Sequence, residues 1–213
     1  MNRLEIKTKS LEEILSEEEL GSIPIKNFTA ESIEYYNNDT VFYFMKSGKA
    51  KVTIYKCREE YVLYNYSVGN IYVPEKECVL EFVEDSELYV LNYETIQDLY
   101  KNIDFCNFVT YSLSQRSRLQ REIIYDLAFN KSKEKITSFI LSLIDYDKKE
   151  ADGHHHINFN MTVHELACYI NVRRQTISSF LNAVMKSDII VRTSHNAYII
   201  KDIQKLKNFG CSK

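Results

Sequence analysis

The pattern of hydrophobic and polar positions divides the chain into a β-rich first part and a helical second part. Between residues 24 and 93, short runs rich in Tyr, Val, Ile and Phe flank turn residues, as in "VFYFMKSGKAKVTIY" around Ser47 and Gly48 and "YVLYNYSVGNIYV" around Gly69. Such runs favour strands. Several short strands with turns between them are typical of a small antiparallel sandwich or barrel.

Helical spacing dominates the rest of the chain. It predicts a helix within residues 1–20, a short helix over 94–101, a long one over 104–128 and an amphipathic one over 131–145. The long helix carries a stripe with alternating spacings of four and three residues: Val109, Leu113, Arg116, Gln120, Ile123 and Leu127. A stripe with this spacing is a candidate coiled-coil seam, so these six residues are predicted to form a dimer interface. Packing of the stripe on the protein's own barrel is the alternative.

The segment "MTVHELACYINVRRQTISSFLNAVMKSDII" predicts two helices joined by a tight turn. Thr162 and Glu165 form a capping box at the start of the first helix. Asn171 stands where the turn needs a left-handed residue, and the second helix begins near Arg173. A following hairpin, "IIVRTSHNAYIIKD", completes the pattern of a winged helix-turn-helix.

The polar front of this segment points to DNA. Arginine can pair with guanine and glutamine with adenine in the major groove, while hydroxyl groups and helix N-termini hold phosphates. The alternative is an ordinary helical hairpin with a solvated face. The predicted DNA-contacting residues are Thr162, Arg173, Arg174, Gln175, Thr176, Ser178 and Ser179.

Charge and composition agree with this division. Residues 1–130 carry a net charge of −8 and residues 131–213 a net charge of +5, within a total of −3. A basic C-terminal part suits a nucleic-acid partner. The chain has neither an apolar run of the ~20 residues that span a bilayer nor an apolar signal core, and its five cysteines form no C-x-x-C pair. We therefore expect a cytoplasmic protein with reduced thiols and no membrane partner.

Four segments resemble, in order and spacing, the Crp/Fnr family of bacterial transcription regulators. They are "FYFMKSGKAKVTIY", "VEDSELYVLNYETIQDLYKN", "LAFNKSKEKITSFILSLI" and the helix-turn-helix segment. The resemblance implies an α+β fold with a cyclic-nucleotide-binding-like antiparallel β-barrel of jelly-roll type over residues 1–103. It further implies a dimerisation helix over 104–130 and a winged helix-turn-helix over 131–213.

The same resemblance implies a homodimer that reads an inverted repeat through a recognition helix at about 173–185. Gln175 and Ser179 stand where the family often has Glu and Arg, so the family's usual half-sites are not expected. The loop Asp147–His156 matches a region through which the family's activators touch RNA polymerase, a possible further partner.

The resemblance also bears on the effector. Family members that bind a cyclic nucleotide carry Gly-Glu and Arg-Ser or Arg-Thr pairs, and the acidic segment "VGNIYVPEKECVLEFVED" has neither, so no cyclic AMP is expected. No cysteine cluster serves an iron–sulfur centre, and all five histidines follow the barrel, which argues against haem and a cupin-type metal. The triple-His run is interpreted as a polar loop, so no metal site is predicted.

A small organic effector remains possible in a tyrosine-rich part of the barrel. Its candidate residues are Tyr64, Tyr66, Tyr72, Cys78, Arg116 and Gln120. The preferred alternative is that these tyrosines are ordinary core and surface residues. A thiol sensor at Cys57 or Cys78 stands against the commoner inert cysteine.

Two further functions were weighed against the DNA-binding regulator. The first is a ligand-binding signalling module that acts through protein contacts. The missing phosphate-binding pairs argue against it, and so does the basic second helix, which such a module would not need. A cupin-type barrel enzyme would need barrel histidines or a nucleophile with its base, and the sequence offers neither. We therefore expect no enzymatic activity.

Overall fold

A computed structural model describes residues 9–36, 41–56, 59–144, 154–159, 161–194 and 197–211. The predictions for Cys57 and for loop residues 147–153 lie outside these residues. The chain divides into an N-terminal unit that ends at Ile123 and a C-terminal unit that begins at Ile124. None of the helices in the described residues is long and apolar enough to cross a membrane.

The N-terminal unit contains two four-stranded antiparallel sheets, in the orders β1-β8-β3-β6 and β2-β7-β4-β5. This arrangement confirms the predicted α+β fold, with a jelly-roll-like pair of sheets in place of a closed barrel. The strands are β1 Ile25–Phe28, β2 Ile33–Tyr35, β3 Val41–Ser47, β4 Lys49–Lys56, β5 Glu59–Ser67, β6 Ile71–Tyr72, β7 Cys78–Phe82 and β8 Ser86–Asn92.

The two strands on either side of the turn at Ser47 and Gly48 do not pair with each other as a hairpin. β3 pairs with β6 and β8, whereas β4 pairs with β5 and β7, so the chain crosses here from one sheet to the other. Gly48 has a φ of +94°, and a Cβ at this position would lie 2.1 Å from the Oγ atom of Ser86. Glycine is therefore required at this crossing both by its backbone conformation and by the lack of space.

Short helical elements precede the sheets. A 3₁₀ turn covers Leu11–Glu13, and helix α1 covers Glu17–Gly21. The single helix predicted within residues 1–20 is thus wrong over the described part. Ser16 interrupts it because its side chain caps α1 in a capping box with Glu19.

Two further helices follow the sheets, α2 at Tyr93–Leu99 and α3 at Ile103–Phe129. They agree with the predicted short and long helices. In the N-terminal unit, α3 packs its apolar face on the sheets: Phe105, Phe108 and Val109 join one buried cluster. Leu119 and Ile123 join another, which lies between the two sheets.

Beyond the end of α3, the described residues of the C-terminal unit form four helices and a three-stranded antiparallel sheet in the order β10-β11-β9. The β10–β11 pair agrees with the predicted hairpin. Strand β9 contains His155 and His156, so the interpretation of the triple-His run as a loop is wrong there. The elements are α4 Ser132–Ser142, β9 His155–Asn158, α5 Val163–Ile170, α6 Arg174–Lys186, β10 Ile190–Arg192, β11 Ala197–Ile200 and α7 Ile203–Cys211.

Helix α7 was not predicted. It packs against α4 at Gly210, where a Cβ would lie 2.3 Å from the Oγ1 atom of Thr137. The close approach of the two helices requires glycine at this position because any side chain would push them apart.

Candidate nucleic-acid interface

The turn between α5 and α6 is built by local hydrogen bonds that the sequence predicted. Thr162 Oγ1 accepts from the Glu165 backbone N–H at 3.1 Å, and Glu165 Oε2 accepts from the Thr162 N–H at 2.7 Å. Asn171 has φ 51° and ψ 57°, in the left-handed region, and its N–H donates to the Ala167 carbonyl. These contacts end α5 and turn the chain directly into α6.

The back of α6 holds the helix in place. Its four buried side chains are Ile177, Phe180, Leu181 and Val184. Burying a side chain of this size contributes roughly 1.5–3 kcal/mol. Because these residues recur every three or four positions, they leave the opposite face of α6 free for polar residues.

The front of α6 carries the predicted DNA-contacting residues. Arg173, Arg174, Gln175 and Ser179 are exposed, whereas Thr176 and Ser178 are half-buried. Among the described residues, none of these six side chains forms a hydrogen bond or ion pair within the protein. Thr162 is exposed at the N-terminus of α5. The structure thus brings six of the seven predicted residues onto one short stretch, at the start of α6, with their hydrogen-bonding groups unused.

Two further polar residues on this helix were missed by the sequence reasoning. Asn182 and Lys186 are exposed and follow Gln175 by seven and eleven positions, which places them on the same face. The helical period alone would have found them. The sequence prediction covered only the first two turns of α6 and therefore omitted both residues.

A groove of about 490 Å³ lies beside this face. Lys133 and Arg173 give it positive charge, and Thr176 and Ser179 give it hydroxyl groups. Phe180 and Phe209 meet edge to face in it, with ring centroids 5.5 Å apart. Gln175 and Ala183 complete its lining. Cations and hydroxyls above an apolar floor suit the phosphate and sugar of a nucleic-acid backbone. Lys133 and Phe209 were missed because they come from α4 and α7, distant in sequence.

The C-terminal unit matches a known family of domains. Residues 134–209 match the family model of the Crp-like helix-turn-helix domain. The C-terminal unit carries a Crp-like helix-turn-helix domain. This agrees with the resemblance to the Crp/Fnr family and with the predicted role in DNA binding and transcription regulation. A search of curated proteins found no match.

Solved structures show the same fold over nearly the whole chain. A CooA mutant from Carboxydothermus hydrogenoformans aligns with a TM-score of 0.84 at 22% identity, over 98% of this chain and 99% of that one. CprK in complex with OCPA aligns with a TM-score of 0.77 at 14% identity, over 90% of this chain and 91% of that one. CLP, a c-di-GMP-responsive global regulator from Xanthomonas campestris, aligns with a TM-score of 0.68 at 15% identity, over 86% of this chain and 96% of that one. At these identities, the structural similarity shows that the chain has the same fold as these proteins.

The predicted effector residues lie in the N-terminal unit, apart from the Crp-like domain in sequence. Tyr64, Tyr66, Tyr72 and Cys78 are all buried in the cluster between the two sheets. Tyr66 donates to the Tyr43 carbonyl at 2.7 Å and so links the two sheets. The Tyr64 hydroxyl is buried without a hydrogen-bond partner among the described residues.

Arg116 closes this cluster at the long helix. Its guanidinium lies 5.6 Å from the centre of the Tyr64 ring and donates to Glu75 Oε1 at 3.0 Å. Gln120 is exposed. Four buried side chains and Arg116 thus meet, in agreement with the preferred alternative of a packed core, and Gln120 does not lie in that core.

The Cys78 thiol is held in its neutral form. Burial, followed by the charge of the Glu75 carboxylate, raises the pKa of Cys78 above its ordinary value. A neutral, buried thiol is a weak nucleophile, which favours the inert alternative over a thiol sensor.

A cleft of about 680 Å³ lies elsewhere on the N-terminal unit, beside the 3₁₀ turn and the start of α3. It contains none of the predicted effector residues. No sequence pattern indicates this cleft, because its lining comes from two separate segments. These are Lys9, Glu13 and Ile14 from the first and Asp104, Asn107, Phe108 and Tyr111 from the second.

The six predicted dimer-interface residues are split between two faces of α3. Val109 and Ile123 are buried in the protein's own core, and Arg116 is 14% exposed. Leu113, Gln120 and Leu127 are exposed, and Ile124, which the sequence reasoning omitted, is 63% exposed. Within the described residues, an exposed stripe with coiled-coil spacing is therefore present, but it consists of Leu113, Ser117, Gln120, Ile124 and Leu127.

Proposed function

We propose that the chain is a homodimeric, sequence-specific transcription regulator that reads an inverted repeat through helix α6. One observation carries the proposal: the Crp-like domain presents six polar side chains at the start of α6 with no partner among the described residues. A helix whose back is packed and whose front is free, with two arginines, is suited to a major groove. We propose RNA polymerase as a further partner, as the resemblance to the Crp/Fnr family implies.

Residue roles follow from position. Arg174 and Gln175 are exposed at the start of α6 and are assigned to base edges, where each can form two parallel hydrogen bonds. Arg173, Thr176 and Lys133 line the groove beside the helix and are assigned to phosphates. Thr162 holds a further phosphate at the start of α5, together with the free N–H groups of that helix end. Ser178 and Ser179 face the bases with short side chains.

Dimerisation is assigned to the exposed stripe of α3. Leu113, Ile124 and Leu127 bring apolar surface to a face that the protomer leaves uncovered. A symmetric pair of such helices would present two recognition helices about one turn of DNA apart. We propose that any effector is not a cyclic nucleotide, because the barrel segment lacks the phosphate-binding pairs and because Arg116, the cation beside Tyr64, already pairs with Glu75.

The test is selection from a random double-stranded DNA pool with the purified, ligand-free chain at a fixed salt concentration. Enrichment of an inverted repeat would support both the dimer and base reading. Enrichment of a single half-site would support base reading without the dimer. If no sequence is enriched, with or without cell extract as a source of effector, the regulator proposal fails and the signalling-module alternative gains ground.

A further inference from the structure

We propose that Asn182 is a base-reading residue and extends the sequence-specific face of α6 by one turn. The inference rests on the proposed function and deepens it. Gln175, Ser178, Ser179 and Asn182 follow one another with the spacing i, i+3, i+4 and i+7, so they share one face of α6. Homeodomains read the major groove from four helix positions with this spacing, and an asparagine among them pairs with adenine.

The surroundings of the Asn182 side chain support a role in DNA binding. The residue is exposed, and its amide forms no hydrogen bond or other polar contact within the described part of the chain. Asparagine is a poor residue for the middle of a helix because its amide competes for backbone groups. A free asparagine at this position therefore does not serve the stability of α6. Its carbonyl and amino group can instead accept from and donate to the edge of an adenine.

The reach of Asn182 depends on the residues before it. Gln175 and Asn182 are seven residues apart, which is about 10 Å along the helix, or roughly three base-pair steps. Ser178 and Ser179 lie between them on the same face and have short side chains. Short side chains let the helix backbone approach the base edges closely. A side chain as short as asparagine can then touch a base on the next turn.

Lys186 provides a contrast on the same face. It lies one turn beyond Asn182, is exposed, and is in the last turn of α6. A lysine is a mobile point charge without the paired donor and acceptor that adenine needs. We assign it to a phosphate, so it is a matched control for the loss of a contact without base specificity.

The experiment compares the wild-type chain, Asn182→Ala and Lys186→Ala in the same random-pool selection. For Asn182→Ala we expect loss of preference at one position per half-site, about three base pairs from the position that Gln175→Ala relaxes. Affinity for the best site should fall by about tenfold or more. For Lys186→Ala we expect weaker binding to all sequences with the preferences kept. Circular dichroism should show both variants folded, since alanine favours helices.

Three results separate the outcomes. A uniform loss of affinity in Asn182→Ala with the preferences kept would overturn base reading and make Asn182 a phosphate contact. Unchanged preferences together with unchanged affinity would overturn any role in recognition. A wild-type chain that selects no sequence would instead sink the proposed function itself, before any variant is compared.

A second pair of variants tests the close approach. Ser179→Arg should abolish the base preference that depends on Asn182, because a long side chain at position 179 would occupy the base edges next to Asn182. Ser179→Ala should retain that preference. If Ser179→Arg keeps it, then Asn182 does not depend on short neighbours and the proposed geometry is wrong.

Discussion

At the scale of single residues, the Tyr64 hydroxyl is buried without a hydrogen-bond partner among the described residues. The Thr162 capping box and the left-handed Asn171 depend on neighbours within five residues, so the sequence was enough to place them. The surroundings of Tyr64 depend on Arg116, which is distant in sequence, and on both sheets. No local pattern could show that its hydroxyl is buried without a partner.

That hydroxyl leads to a stability prediction. Tyr64→Phe should raise the free energy of unfolding of the N-terminal unit by about 1 kcal/mol, because burying a hydroxyl without a hydrogen bond is costly. Tyr66→Phe is the matched control and should lower it by about 1 kcal/mol, because Tyr66 donates to the Tyr43 carbonyl. Urea unfolding followed by circular dichroism measures both. A loss of stability in Tyr64→Phe comparable to that in Tyr66→Phe would show that the Tyr64 hydroxyl is satisfied.

Because Tyr64 and three other tyrosines are buried, we expect the protein to lose stability in alkali. Burial raises the pKa of Tyr64 to about 12, and burial with a hydrogen bond to Glu12 raises the pKa of Tyr89 to about 12, from 10.0. Burial also raises the pKa values of Tyr66 and Tyr72. Above pH 10 the unfolded chain releases these protons while the folded chain keeps them, so stability falls as the pH rises from about 10 towards 12.

Tyrosinate absorbance in the ultraviolet, measured together with unfolding midpoints across this pH range, checks the prediction. Some of the tyrosines should ionise only as the chain unfolds. Complete ionisation near pH 10 with an unchanged unfolding midpoint would contradict the burial of these side chains.

At the scale of elements, the sequence placed most helices and strands but not their partners. Periodicity showed that α3 is long and amphipathic, yet it could not decide which of two overlapping stripes faces the protomer's core. The buried Val109 and Ile123 and the exposed Leu113 and Ile124 settle that choice, because they show the surface that the sheets cover. Likewise, β3 and β4 were correctly read as strands, but their assignment to different sheets depends on partners distant in sequence.

The exposed stripe of α3 gives the prediction at this scale. Leu113→Glu should convert the dimer into a monomer, because it places a charge in an apolar seam. Ile124→Glu should do the same. Ser114→Glu, an exposed neighbour outside the stripe, should leave the dimer intact. Light scattering coupled to size-exclusion chromatography measures the mass of each variant. A dimer that survives both stripe substitutions would move the interface to another surface.

At the scale of the whole molecule, the charge division along the chain acquires a meaning from the structure. The basic residues 131–213 contain the Crp-like domain, and three cations of this part of the chain, Lys133, Arg173 and Arg174, lie at the start of α6 and in the groove beside it. The acidic residues 1–130 contain the paired sheets and helix α3, whose Arg116 is already engaged by Glu75. Affinity for DNA should therefore depend on the C-terminal unit and fall steeply with salt.

Two neighbouring arginines separate the two components of that affinity. Arg174→Ala should lower affinity for the best site by about 1–3 kcal/mol and relax preference at one position of each half-site, because Arg174 is assigned to a base. Arg173→Ala should weaken binding to all sequences alike and reduce the dependence of log affinity on log salt by about one per protomer, because Arg173 is assigned to a phosphate. Fluorescence anisotropy with the selected repeat and with scrambled DNA, across a salt series, measures both effects. If Arg174→Ala weakens both DNAs equally, Arg174 holds a phosphate too. Base reading would then fall to Gln175 and Asn182 alone, and the selected repeat should still be recognised by Arg174→Ala.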